Sequence, residues 1–365
     1  MTLAFIPPDR SAVATSDQVR TDLPRINQMS ESVFGPKGHG VHTAFLETTQ
    51  GLRDLGYQVG TNERWRDGIL HVHTLGPWPL LRLRTHRGPK VVSAHVTADS
   101  LRGSLRGSTV FRRAIEAYLR HFYGSADQVI AVSEAAKAEL VAGGVRTPIS
   151  VIPNGIDRRA FARSPDSRAL ARQDLDVGDR EFVVLTVGQV QPRKGVDTFL
   201  EMARALPHVT FVWVGSVLFG ALASSRGQLE AQMRSAPANV RFVGQLDRDR
   251  VAQWYLAADV FTSTARQETF GLVALEAAAA SLPIVLRDIT VFRELFGADG
   301  ALFPSDAAGF AEAIEALRLD PGVRATAAAN AEQLAHRYGA EVVAQSAADL
   351  YRSVLGAPAM ARVRG

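Results

Sequence analysis

The chain has 365 residues, 46% of them hydrophobic and 21% charged, which excludes a disordered chain and is more than one ordinary domain requires. It contains no cysteine, so disulfides, thiolate nucleophiles and cysteine-held zinc or iron–sulfur centres are excluded. The net charge of +4 is uneven: residues 1–170 carry +7 and the remainder −3, which points to an anionic partner for the N-terminal half.

The opening MTLAFIPPDR holds an apolar run too short and too uncharged for a secretory signal, and no stretch reaches about 18 apolar residues, so a cytoplasmic protein is expected. TLAFI (2–6) predicts a first strand. After the glycine-rich GPKGHG (35–40), Val41, Phe45, Leu52 and Leu55 share one helical face that Gly56 ends. QVG (58–60), ILHVH (69–73), KVVSAH (90–95), QVIAV (128–132) and ISVI (149–152) continue the strand series with helical patterns between them. A polar stretch over 158–180 marks a domain boundary.

A second series follows with EFVVLTVG (181–188), VTFVWVG (209–215), NVRFVG (239–244), DVFTS (259–263) and LPIVL (282–286), and beyond residue 306 the pattern is helical. Strands alternating with helices, twice over, predict an α/β chain of two Rossmann-like domains facing a central cleft, with C-terminal helices. The expected divisions are an N-terminal domain over 1–165, a C-terminal domain over 166–340, and a helix and tail over 341–365 that cross back to the first domain.

In parallel sheets of this kind ligands bind outside the carboxyl ends of strands. DVFTS runs into TARQETFG, which places Glu268 in a loop at the cleft and Phe270 and Gly271 at the mouth of a helix. The free N–H groups of Phe270, Gly271 and Leu272 add positive potential there, and Glu276 emerges one turn inside the helix. In QPRKG, Arg193 and Lys194 likewise follow a strand and precede a helix, where two cations suit a diphosphate leaving group. Asp247 and Asp249 have the spacing of a metal-binding pair but directly precede a helical run, so they read as a helix cap, and no metal site is expected.

ETFGLVALEAAAASLPIV resembles the E-x7-E element of the family 4 glycosyltransferases, and ordered matches extend through VSE (132–134), IPNGID (152–157), VGQVQPRKGVDTFL (187–200) and VRFVGQL (240–246). The resemblance implies the GT-B fold and retaining transfer of a hexose, glucose or galactose, from a nucleotide sugar, most simply a UDP-sugar, with no cofactor. It implies that Glu268 holds donor-sugar hydroxyls near the reacting carbon, that Glu276 binds the ribose and that Arg193 and Lys194 hold the diphosphate. His95 resembles a family histidine beside the transferred sugar, and Gly38 and Gly40 belong to the family's N-terminal glycine-rich loop. The implied mechanism is front-face attack, in which the donor's own phosphate oxygen takes the acceptor's proton. Two departures stand out: Ser281 and Val217 occupy positions where the family carries glycine, and residues 8–34 would form an extra flap on the acceptor side.

The acceptor is read from the first domain. Arg102, Arg106, Arg112, Arg113 and Arg120 interleave with Leu101, Leu105, Phe111, Ile115, Leu119 and Phe122, and Trp78, Leu80 and Leu81 stand beside Arg82, Arg84, Arg87 and Lys90. This basic amphipathic pattern suits peripheral attachment to an anionic membrane. The block from AHVTADS through the arginine-rich helix also resembles bacterial diacylglycerol glycosyltransferases, which implies a membrane lipid acceptor. The alternatives are a soluble sugar, glycan or other small-molecule acceptor, and a GT-B nucleotide-sugar epimerase. A dinucleotide oxidoreductase lacks its glycine spacing in VGQVQPRKG, and no nucleic-acid-binding motif accompanies the basic half.

Overall fold

The computed structural model describes residues 23–34, 40–98, 112–217 and 226–356. The strand expected at 2–6, residues 8–22 of the expected flap, Gly38, Leu101, Arg102, Leu105, Arg106, Phe111 and the tail beyond 356 lie outside the described residues.

Eleven strands among the described residues form two wholly parallel sheets. The first contains β1 (Ile26–Met29), β2 (Val59–Thr61), β3 (Ile69–Val72), β4 (Lys90–Ala94), β5 (Gln128–Ala131) and β6 (Ile149–Val151), in the order β2-β1-β3-β4-β5-β6. Its helices are α1 (Gly40–Asp54), α2 (Pro77–Thr85), α3 (Arg112–Tyr123) and α4 (Glu134–Ala142). After α5 (Pro165–Asp174) the second sheet contains β7 (Val183–Val187), β8 (Thr210–Val214), β9 (Val240–Gly244), β10 (Val260–Ser263) and β11 (Ile284–Leu286), in the order β11-β10-β7-β8-β9. Its helices are α6 (Val196–Ala205), α7 (Arg226–Arg234), α8 (Arg248–Ala257), α9 (Leu272–Ala279), α10 (Thr290–Phe296), α11 (Ala307–Leu319) and α12 (Pro321–Arg337), and the last helix, α13 (Ala340–Gly356), packs on the first domain.

Strand β1 corrects the flap reading at residues 26–29. The sequence INQM shows no strand pattern because its two central residues are polar, yet all four are buried. The pleat is satisfied from far along the chain: Asn27 Nδ2 donates to the Glu63 carbonyl at 2.7 Å and Asn27 Oδ1 accepts from Glu63 N–H at 3.0 Å. Buried polar groups matched in this way avoid a desolvation penalty of about 1–3 kcal/mol each. Residues 26–29 are therefore the strand beside β3, and a 3-10 helix over Glu31–Phe34 follows them.

Each sheet has a topological switch, between β1 and β3 in the first and between β7 and β10 in the second. Helix α13 packs on α1, and the fit is tight: a Cβ on Gly51 would lie 2.7 Å from the Ala344 side chain. Apolar residues of both sheets merge into one buried cluster running from Leu70 and Val92 to Phe261 and Leu275.

Ser281, in the turn between α9 and β11, has φ of 52°, the left-handed region where a side chain is strained. Ser281→Gly is therefore expected to stabilise the protein by about 1 kcal/mol, read as a raised midpoint in urea unfolding. A lowered midpoint would mean that contacts of the serine side chain outweigh the relief of strain.

Candidate active site at the two sheet switch points

The turn after β7 and the loop after β10 leave the second sheet on either side of its switch point. They are laced together, since Arg266 N–H donates to the Arg193 carbonyl at 2.8 Å and the Thr264 hydroxyl to the Lys194 carbonyl at 2.9 Å. This brings three residues singled out from sequence into one place. Lys194 Nζ forms an ion pair with Glu268 Oε2, the two side chains being 13% and 14% exposed, and Arg193 donates to the Gln267 carbonyl at 3.2 Å. Burial alone would raise the Glu268 pKa, but Lys194, Arg193 and the Thr269 amide at 3.1 Å hold it below the ordinary carboxylate range. Glu268 is ionised, half-enclosed and beside two cations.

Gly271 opens α9 with φ of +91°, and a Cβ there would lie 2.7 Å from the Phe292 ring. The turn can thus aim the first N–H groups of α9 out of the helix, where they have no intrahelical partner. Phe270 is buried edge-on against Tyr338, and Leu272 is buried beneath the turn.

Glu276 is buried in different company. Tyr255 donates its hydroxyl to Glu276 Oε2 at 2.8 Å, and burial pushes the carboxyl up to about 7, opposed by Tyr255 and Arg248 and reinforced by Glu47. Arg248 itself pairs with Glu47 of α1, so this corner of the second domain is tied to the first. Asp247 caps α8 by accepting from Arg250 N–H at 2.9 Å, as its sequence context predicts.

In the first domain His95 follows β4 and is half-buried, with its Nε2 3.3 Å from Nδ1 of His73. Burial holds the His95 pKa near 4, so the ring is neutral at physiological pH. Tyr123 of α3 fixes the following turn by donating to the Val96 carbonyl at 2.6 Å. Gly40 is the first residue of α1, where no atom lies within 4 Å of the space a Cβ would take.

The two halves meet at VSE. Ser133 caps α4 and donates to the Thr269 carbonyl at 3.0 Å, one residue from Glu268, while the Glu294 carboxylate accepts from the amides of Glu134 at 2.6 Å and Ala135 at 3.0 Å. An anion at a helix N-terminus is favourable. Sequence reasoning did not reach Tyr255, Glu294, Gln28 or His73. The only available signal was the pair His71 and His73, two apart on one strand and so on one face.

The basic surface differs from the amphipathic reading. In α3, Leu119 and Phe122 face the core and Ile115 packs against it, so they are not free for a membrane. Arg82 turns inward to the carbonyls of Glu63 at 2.9 Å and Trp65 at 2.7 Å, and Lys90 is buried in β4. Arg113 and Arg120 are exposed, the latter reaching the Gly143 carbonyl at 3.4 Å, and α3 itself opens at Arg112.

Comparison with known proteins decides what this arrangement belongs to. The description "Glycosyl transferases group 1" matches residues 167–334 and "Glycosyltransferase Family 4" matches residues 62–159. A phosphatidyl-myo-inositol mannosyltransferase of Mycolicibacterium smegmatis is 30% identical over 81% of this chain and 74% of its own length. The chain belongs to the family 4 glycosyltransferases. Similar relatives of this glycosyltransferase include the alpha-galactosylglucosyldiacylglycerol synthase of Streptococcus pneumoniae, 28% identical over 90% of this chain and 89% of that one. Another is the processive diacylglycerol alpha-glucosyltransferase of Acholeplasma laidlawii, 28% identical over 70% and 76%. HepE of Anabaena, solved with UDP and glucose, superposes with a TM-score of 0.71 at 22% identity, covering 91% of this chain and 100% of HepE. The glycosyltransferase has the GT-B fold that the family resemblance implies, built on the two Rossmann-like domains expected from the doubled sheet pattern, and its reaction class is hexosyl transfer.

Proposed function

We propose that this glycosyltransferase moves glucose or galactose, with retention, from a UDP-sugar to a diacylglycerol-type lipid at an anionic membrane surface. Arg193 and Lys194 take the diphosphate, Glu276 the ribose, and Glu268 the sugar hydroxyls, with the amides of Phe270, Gly271 and Leu272 assisting. His95 approaches the sugar from the first domain, where Gly38 and Gly40 bound the donor. The donor phosphate oxygen takes the acceptor's proton as the new glycosidic bond forms and the old one breaks.

The observation that carries the lipid reading is an exposed apolar group among cations. Trp78 is 45%, Leu81 51% and Tyr118 39% exposed, although large side chains of this kind normally turn inward. Trp78 and Leu81 share a face of α2, and Arg84 of that helix meets His121 of α3 at 2.6 Å, one turn from Tyr118. The two exposed stripes therefore adjoin with Arg84 at their seam, while Arg113 and Arg120 are exposed on another side of α3. No helix among the described residues is long and apolar enough to cross a membrane, so attachment would be at the surface. The diacylglycerol-named relatives support the same acceptor.

Sedimentation with vesicles tests the attachment. Bound protein is expected to rise with anionic lipid content and to fall with salt. Neutralising Arg84, Arg113 and Arg120 should cost roughly 1 kcal/mol each in vesicle binding. Trp78→Ser with Leu81→Ser should weaken attachment while UDP binding stays unchanged. A second reading, a soluble phosphorylated acceptor, is favoured by the relatives named as D-inositol 3-phosphate glycosyltransferases, one 28% identical over 83% of this chain. Transfer to that compound without any affinity for vesicles would establish the second reading in place of the first.

A further inference from the structure

Beneath His95 five more polar side chains join in one hydrogen-bonded chain through the first sheet. Nε2 of His95 lies 3.3 Å from Nδ1 of His73, and Nε2 of His73 lies 2.5 Å from Oε1 of Gln28. Gln28 Nε2 donates to the Tyr351 oxygen at 3.3 Å. The Tyr351 hydroxyl meets Nδ1 of His71 at 2.6 Å, and Nε2 of His71 meets the Ser93 hydroxyl at 2.8 Å. Gln28, His71, His73 and Tyr351 are buried almost completely. Among the described residues no group pairs with Nδ1 of His95.

We propose that Gln28 and His73 fix the tautomer of His95, so that its Nε2 carries the proton and its Nδ1 stands bare as an acceptor for a hydroxyl of the transferred sugar. The inference rests on the reading of His95 as a contact to that sugar. Its logic is a matter of counting protons. The Gln28 oxygen accepts only, so Nε2 of His73 must donate to it. A neutral imidazole that donates through Nε2 has a bare Nδ1. That bare nitrogen faces Nε2 of His95, which therefore holds the hydrogen, and the neutral His95 ring is left with its lone pair on Nδ1. The other branch obeys the same polarity: Tyr351 accepts from Gln28 and donates to His71, whose Nε2–H donates to Ser93. Reversing the chain would turn the Gln28 amide around and place its NH2 group 2.5 Å from a ring nitrogen, too close for an N–H···N bond.

Burial supports this by keeping the rings neutral. Desolvation, with the neighbouring imidazoles, holds His73 well below the usual histidine range. A neutral His95 with a bare nitrogen also places partial negative charge near an anomeric carbon that becomes positive, which favours the transition state. Gln28 and His73 are thus positioning residues, and Tyr351 brings α13 into the same chain.

The test is long-range proton–nitrogen NMR on protein labelled with 15N-histidine, with His95 assigned by its loss in His95→Gln. Wild type is expected to show the proton on Nε2 of His95. His73→Asn keeps an acceptor oxygen where Nδ1 was, and should preserve that tautomer and most of the turnover. His73→Phe and Gln28→Leu should release it to a mixture, lowering kcat about tenfold with the donor KM within about twofold. A proton found on Nδ1 of His95 in the wild type, or an unchanged tautomer in folded His73→Phe, overturns the inference. A shifted tautomer with unchanged turnover upholds the link between His73 and His95 and instead overturns the role of His95 at the sugar.

Discussion

Glu268→Gln is expected to lower kcat at least about a hundredfold, the scale of losing one preorganised transition-state contact. The amide keeps the size of the side chain and can still bond a sugar hydroxyl, so the donor KM should change little. What disappears is negative charge, which matters most when the glycosidic bond stretches and the sugar becomes cationic. The protein prepares for that moment by placing Lys194 and Arg193 beside the carboxylate, which keeps it ionised despite burial. Steady-state kinetics on a variant with native circular dichroism would measure the effect. Glu276→Ala provides the contrast: it should raise the donor KM and leave kcat within about threefold, the pattern of lost ground-state binding. A Glu268→Gln enzyme with wild-type kcat would remove Glu268 from the chemistry.

The two glutamates also show what was legible in the sequence. Glu268 could be placed because a strand, a loop and a helix follow one another in DVFTS and TARQETFG, and topology sends such loops to the ligand edge. Its ion pair with Lys194 joins two loops 74 residues apart in the chain, and that proximity follows from the adjacency of β7 and β10. Tyr255 could not be placed, since an aromatic residue in the apolar run of α8 looks like core until its hydroxyl is found on Glu276.

Strand β1 was hidden for a related reason. Asn27 and Gln28 break the apolar pattern, and their partners, Glu63, His73 and Tyr351, come from distant parts of the chain. Periodicity also gave α3 an apolar face without saying what covers it. The answer is the protein's own core, where Leu119 and Phe122 are buried, and among the described residues this leaves Tyr118 as the exposed large apolar side chain of α3, with Trp78 and Leu81 exposed on α2. An apolar stripe at helical spacing shows that a helix has two faces; only packing assigns their neighbours.

Replacing Arg193 and Lys194 together by methionine is expected to remove measurable binding of UDP in calorimetry. Two hydrogen bonds to a charged group, at about 1.5–3 kcal/mol each, correspond to a loss of at least about a hundredfold in affinity. A second effect acts in the same direction. Lys194 is the cation paired with Glu268, so its removal leaves a carboxylate facing the diphosphate with its nearest countercharge gone. That carboxylate then either repels the phosphates or takes up a proton, and each course costs affinity. The repulsion can be isolated by a double-mutant cycle. Lys194→Met combined with Glu268→Gln should bind UDP more tightly than Lys194→Met alone, because the unpaired negative charge is gone. If the combined variant instead bound more weakly than Lys194→Met alone, Glu268 would be an attractive contact to the nucleotide, and Lys194 could not be serving the phosphates against it.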